Sequence, residues 1–171
     1  MRLTNSSCFL FSLSWGGFLL PPKDDRDISA SKKIHEDSTV GRSIDSHELQ
    51  NRYALGERDF CGIVLIGVDL SGAHLSGIDF SRGQLMGVNL TAANLSGANL
   101  SEANLSKANL ERANLFGTFL SGAELSNATL NAANLNEADL SGACLSCTNL
   151  SQAHLHLTCL SEATPVNLLF F

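Results

Sequence analysis

No apolar run in this 171-residue chain is long enough to cross a membrane as a helix. The longest, Cys8–Leu20, has 13 residues and ends at Pro21 and Pro22, whereas a span takes about 20. Arg2 ahead of this run gives it the outline of a signal peptide. No small-x-small cleavage site follows, however, and Gly16-Gly17 weakens the helix such a segment needs. Residues 1–45 therefore read as a poorly ordered or signal-like extension. Lys23–Ser46 within or bordering it is rich in charge and serine, as a solvated linker is. The expected compartment is the cytoplasm; export to the periplasm or thylakoid lumen is the alternative if residues 1–22 act as a signal.

Positive charge is also scarce. The chain carries 11 Lys and Arg against 17 Asp and Glu, a net charge of −6. Between Glu57 and Glu162 stand ten acidic and four basic residues, while Met1–Gly56 holds seven of each. A mildly acidic body argues against nonspecific binding to phosphates, so no direct nucleic-acid contact is expected. The five cysteines are an odd number and suggest reduced thiols rather than a disulfide framework. Cys144 and Cys147 have the spacing of a zinc or redox pair, but no second pair and no following helix accompany them. His154 and His156 read as solvated surface residues. No nucleophile, base and orienting group occur together, so neither a catalytic residue, a cofactor nor a metal is expected, and an enzyme is the least supported class.

What the chain does have is a period of five. Leucine or phenylalanine occupies every fifth position from Phe60 to Leu160, 21 positions without a gap. The residue two before each is usually small, as at Ala93, Ala98, Ala103 and Ala108. On an α-helix a step of five turns the side chain by roughly 140°, which winds the leucines around every side. On a straight strand it sends alternate leucines to opposite faces. One face can hold them all only if the chain turns once per unit, so that the small residue and the leucine both point inward on a short extended side. Such units cannot bury their apolar face alone and must stack as a solenoid. The asparagines just before the leucines, such as Asn94, Asn99 and Asn104, read as corner residues whose amides bond backbone groups.

The run Ala-Asn-Leu-Ser-Gly-Ala-Asn-Leu-Ser-Glu-Ala-Asn-Leu-Ser-Lys-Ala-Asn-Leu, Ala93–Leu110, closely resembles the pentapeptide-repeat proteins, and the likeness covers about Asp59 to Glu162. The lead-in Arg52–Phe60 resembles the entry to such domains in cyanobacterial members. The resemblance implies an all-β fold, a right-handed quadrilateral β-helix with four units per coil and about five coils. Phe60 and Phe80 would then share a column, their stacked rings filling the start of the core. Asp45 followed by Glu48 fits a capping box, and Leu49, Tyr53 and Ala54 form one apolar stripe. A short helix over residues 46–56 is therefore expected to cover the first coil, with the β-helix over 57–164. Pro165 stops the ladder, and residues 165–171 form an apolar tail that caps the last coil or joins two copies into a homodimer.

If the repeat explains the leucines, alanines and asparagines as architecture, a partner must be met by outward departures from it. Phe116 and Phe119 point outward by register beside Gly117, and Leu157 returns to the same corner two coils along. These three form a candidate partner-binding ridge. The leading function is a noncatalytic structural or protein-interaction module, its partner another protein. The resemblance supplies an alternative, a DNA-mimicking modulator of DNA gyrase, against which the dispersed acids Asp69, Asp79, Glu102, Glu111, Glu124, Glu137 and Asp139 and the interrupting Lys107 and Arg112 count.

Overall fold

The structure, a computed structural model, describes residues 41–164. The apolar run Cys8–Leu20 and the tail 165–171, with the dimer contact expected of it, lie outside the described residues. From Asp59 onward, parallel bridges join residues at an offset of 20: Asp79 to Asn99, Asn99 to Phe119, Phe119 to Asp139, Asp139 to Cys159. At five residues per unit, one coil has four sides. Each unit is tied to its neighbours by backbone bonds such as Leu90 N–H to Asn109 O at 2.7 Å and Asn109 N–H to Val88 O at 2.9 Å. The chain of bridges makes every outward position a column of side chains about 4.8 Å apart.

The corners explain why the period is five. The carbonyl of each central residue accepts the N–H three residues on, as in Ala73 N–H to Leu70 O at 3.1 Å, and the residue between, two after the leucine, has positive φ. Gly72 stands at +66° there, and Glu102, Lys107, Glu137 and Leu157 at 58°, 61°, 60° and 58°. This is a type II turn, whose third residue favours glycine. The turn carries the chain round the corner and returns the next small residue to the interior.

Inside, the central side chains from Phe60 to Leu145 are almost wholly buried with the alanines between them. Exposure rises towards Leu160, at 43%. Phe60 and Phe80 do share a column, but their rings meet edge to face, with centroids 6.1 Å apart and planes at 64°, rather than stacked. That arrangement sets the positive ring edge against the negative face. Thr118 and Thr148 take alanine positions and are buried; their hydroxyls donate to Leu95 O at 2.9 Å and Leu125 O at 2.8 Å, which satisfies the buried groups.

Helix α1, Ser46–Ala54, lies at the start of the coils. The Asp45 carboxylate accepts the Glu48 N–H at 2.7 Å, which is half of the capping box. The Glu48 side chain turns to Arg42 instead, at 2.8 Å, and so does not complete it. Leu49 is fully buried, and the Tyr53 hydroxyl donates to Ser76 O at 2.8 Å. Residues 41–44, read from sequence as part of the extension, run beside the first coil: Gly41 N–H reaches Gly62 O at 2.8 Å and Val64 N–H reaches Arg42 O at 2.9 Å. Ile44 joins the core.

A Cβ at Gly72 would meet nothing within 4 Å, so Gly72→Ala tests the corner conformation alone. A loss of about 1–2 kcal/mol is expected from the left-handed backbone, read as a lower urea midpoint at constant slope; an unchanged midpoint would contradict the turn argument. Leu105→Ala removes a fully buried side chain and should lose more, about 2–5 kcal/mol.

Candidate functional site

The outer surface is mostly accounted for by one repeated contact. Where the side chain just before the central residue is Asn, Asp or Glu, it accepts the N–H two residues on: Asp79 from Ser81 at 2.8 Å, Asn99 from Ser101 at 3.1 Å, Asn104 from Ser106 at 3.1 Å. These are Asx turns, which occupy an N–H that the ladder leaves free. The amides also bond along their column, Asn114 to Asn94 at 3.2 Å and Asn134 to Asn114 at 3.0 Å. The asparagines are structural, as their spacing suggests.

Carboxylates can serve in the same place, and their ionisation records it. The Ser71 N–H, then its hydroxyl, hold Asp69 below the usual carboxylate range. Ser126 does the same to Glu124, and Ser141 to Asp139, in each case through the hydroxyl first and then the N–H. Because hydrogen bonds to the charged form favour it, these groups stabilise the fold above the ordinary carboxylate pKa. Their contribution is lost as the pH falls through the lowered folded values. Stability should therefore fall below about pH 4. Asparagine makes the same contact without titrating, as at Asn99, so the triple variant Asp69→Asn, Glu124→Gln, Asp139→Asn should show a shallower acid limb in urea melts. An acid limb identical to that of the unaltered chain would sink this assignment.

Phe119, like Val64, puts an apolar side chain at this position. It occupies the column of Asp59, Asp79, Asn99 and Asp139, yet a phenyl ring accepts no hydrogen bond of that kind, and among the described residues no side chain bonds the Ser121 N–H. The ring is 54% exposed and Phe116 beside it 42%. The structure thus brings Phe116 and Phe119 together on one corner. Leu157, 72% exposed, stands on that corner two coils along, but Asn136, Glu137 and Asp139 fill the coil between, as the bonds Gly117 N–H to Asn136 O and Glu137 N–H to His156 O show. The three apolar residues form two separate patches with a polar rung between them, so the ridge is not continuous.

Two surface features were missed in the sequence. Ile66 and Met86 are exposed and occupy adjacent coils, since Gly67 N–H bonds Met86 O at 2.9 Å; the offset of 20 alone would have paired them. A shallow hollow of about 380 Å³ is lined by Arg112, Asn114, Asn134, Asn136 and His154 among others. The Cys144 thiol lies 3.2 Å from the Ser126 hydroxyl, and contacts with Ser126, Ser146 and Thr164 lower its pKa. Cys147 and Cys159 are exposed free thiols. Among the described residues no group of three or more His, Cys, Asp or Glu is placed to hold a metal ion, and no helix is long and apolar enough to cross a membrane.

Eight copies of the pentapeptide repeat are matched over residues 56–82, 84–122 and 119–156, more than half of the chain. The chain belongs to the pentapeptide-repeat family, whose fold is the right-handed quadrilateral β-helix. Among solved structures it is similar to a pentapeptide repeat protein, Rfr23, from the cyanobacterium Cyanothece 51142. The two are 33% identical over 66% of this chain and 94% of that one, with a TM-score of 0.54. A pentapeptide repeat protein of the Arabidopsis thaliana thylakoid lumen is 34% identical over 52% of this chain and 59% of its own, with a TM-score of 0.45. QnrB1, a plasmid-mediated fluoroquinolone resistance protein, is 20% identical over 73% of this chain and 66% of its own, with a TM-score of 0.38. No curated protein matches the chain. The fold supports a non-catalytic repeat module.

Proposed function

We propose that the chain is a noncatalytic protein-interaction module of about five coils, with α1 serving as the cover of its first coil and another protein as its partner. In this reading residues 1–40 are an extension, 41–56 the cap, extended from the 46–56 expected in the sequence by the segment 41–44 that pairs with the first coil, 57–164 the β-helix and 165–171 an apolar tail, and the protein works in the cytoplasm. The cap assignment rests on Leu49, Tyr53 and Ile44 closing over the first coil, where bare strand edges would otherwise invite pairing with other chains.

The observation that carries the functional reading is Phe119. At this position the fold favours a hydrogen-bonding side chain, and the ring that replaces it is left largely in water. Exposed aromatic residues are enriched where protein surfaces meet, and nothing in the coil requires this one. The contact is centred on Phe116 and Phe119, with Leu157 as a separate outlying point. DNA mimicry directed at gyrase is less supported, because the acidic side chains are scattered and Arg82 lies 3.2 Å from Glu102, Arg112 3.7 Å from Glu111.

Affinity capture with the intact chain, compared with its Phe119→Ser variant by quantitative mass spectrometry, tests the reading. The variant should fold normally and lose at least one protein that the unaltered chain retains. Identical capture profiles from two folded proteins would dismiss the corner as a contact. A supercoiling assay with purified protein addresses the alternative: no inhibition of gyrase at micromolar protein is the expected result.

A further inference from the structure

The corner that holds Phe116 and Phe119 carries more acid than base. Its columns comprise residues 55–60, 75–80, 95–100, 115–120, 135–140 and 155–160; they contain Glu57, Asp59, Asp79, Glu137 and Asp139 and one arginine, Arg58, three coils from the rings, whose guanidinium donates to Tyr53 O and Glu57 O. Glu137 and Asp139 occupy the coil directly above the two rings: Phe119 is bridged to Asp139, Leu120 N–H bonds Asp139 O at 2.7 Å, and Gly117 N–H bonds Asn136 O at 3.0 Å. Neither carboxylate is in an ion pair among the described residues, whereas the arginines of the two flanking corners, Arg112 and Arg82, lie beside Glu111 at 3.7 Å and Glu102 at 3.2 Å. Ser141 N–H, 2.9 Å from the Asp139 carboxylate, fixes that group in place and favours its charged form. Ile66 and Met86 form the other exposed apolar pair; their corner holds Asp69 in residues 65–70 and a base, Lys107, in residues 105–110.

Two exposed rings with two unpaired carboxylates on the next rung make a surface of one chemical kind. An arginine guanidinium lies flat on an aromatic face and donates in a planar fork to carboxylates, and it is less strongly hydrated than an ammonium. We propose that Phe116, Phe119, Glu137 and Asp139 together form the docking point for an arginine-bearing segment of the partner protein. This rests on the reading of the corner as a protein contact and adds the chemistry of what it receives. Charge complementarity supplies the choice of occupant: an acidic segment would meet two carboxylates that lack a cation, and a purely apolar one would desolvate them with no positive charge to offset the cost.

The test uses fluorescein-labelled peptides of one length, alternating leucine with arginine, glutamate or serine, titrated against the full chain by fluorescence anisotropy at low and high salt. The Arg-Leu peptide should bind best and weaken with salt. Two variants should each weaken it roughly ten-fold: Phe119→Asn, and the pair Glu137→Gln with Asp139→Asn. Phe119→Asn restores the side-chain acceptor for Ser121 N–H, so its melting temperature should equal or exceed that of the unaltered chain, which separates lost binding from lost folding. Ile66→Ser serves as a control and should leave binding unchanged. The proposal fails if the Arg-Leu peptide does not bind, if Phe119→Asn leaves its affinity intact, or if the Glu-Leu peptide binds as tightly. Should any of these occur while protein capture still depends on Phe119, the arginine chemistry alone is wrong; if capture is also independent of Phe119, the contact itself is.

Discussion

The left-handed residue two places after each leucine is the constraint on which the rest of this protein depends. It lets the chain turn after one short extended side, and without it the next alanine and leucine would face water. Most residues resist that conformation, and glycine occupies it throughout the first coil, at Gly62, Gly67, Gly72 and Gly77. Later coils place Glu102, Lys107, Arg112 and Leu157 there. Each such residue strains its corner, and the ladder bonds to the coils on both sides hold it in place. Stability in such a stack belongs to pairs of adjacent coils more than to any single unit.

The same turn organises the surface. Once every unit occupies the same space, residues 20 apart share a column, and a local rule acting on one unit is written many times over. The rule that the side chain before leucine accepts the N–H two residues on is satisfied by asparagine, aspartate and, at Glu124, a glutamate reaching Ser126 at 2.9 Å. Chemically different residues can do one structural task, so Asp59, Asp69, Asp79, Glu124 and Asp139, half of the ten acidic groups from Glu57 to Glu162, are explained by the backbone they bond and not by a ligand.

Most of this was legible in the sequence because it is periodic. The buried leucines, the alanines beside them, the asparagine corners and the column shared by Phe60 and Phe80 follow from a spacing that only one kind of chain path satisfies. Helix α1 was visible through Asp45, Leu49 and Tyr53, whose roles are local. Residues 41–44 were not, since their pairing with the first coil is nonlocal and four residues are too few to show a pattern. The edge-to-face meeting of the phenylalanines depends on ring rotation that no spacing encodes. At the candidate contact, Phe116 and Phe119 were legible as outward residues. The missing side-chain bond at Ser121 follows from what the other coils place at that position, and the polar rung before Leu157 from the coil between, both of which depend on the register of 20 rather than on local sequence.

In a repeat of this kind a deviation is informative in proportion to what the fold gives up for it. Ile66 and Met86 are exposed apolar residues, but they stand after the leucine, where serine, threonine, glutamate and asparagine also occur and the side chain has no required bond. Their presence is compatible with the absence of any role, since single apolar residues are common on surfaces. Phe119 also replaces an acceptor and leaves an N–H without its side-chain partner, as Val64 does, but Val64 is half-buried and bridged to Ser43, whereas Phe119 exposes its ring and the fold gains nothing in return. A net contribution of about 0.5–1.5 kcal/mol is typical of such a bond, large enough that a neutral substitution back to asparagine would stabilise the chain. A residue held against that gradient, beside two carboxylates that are in no ion pair, is better explained by what it meets than by what it supports.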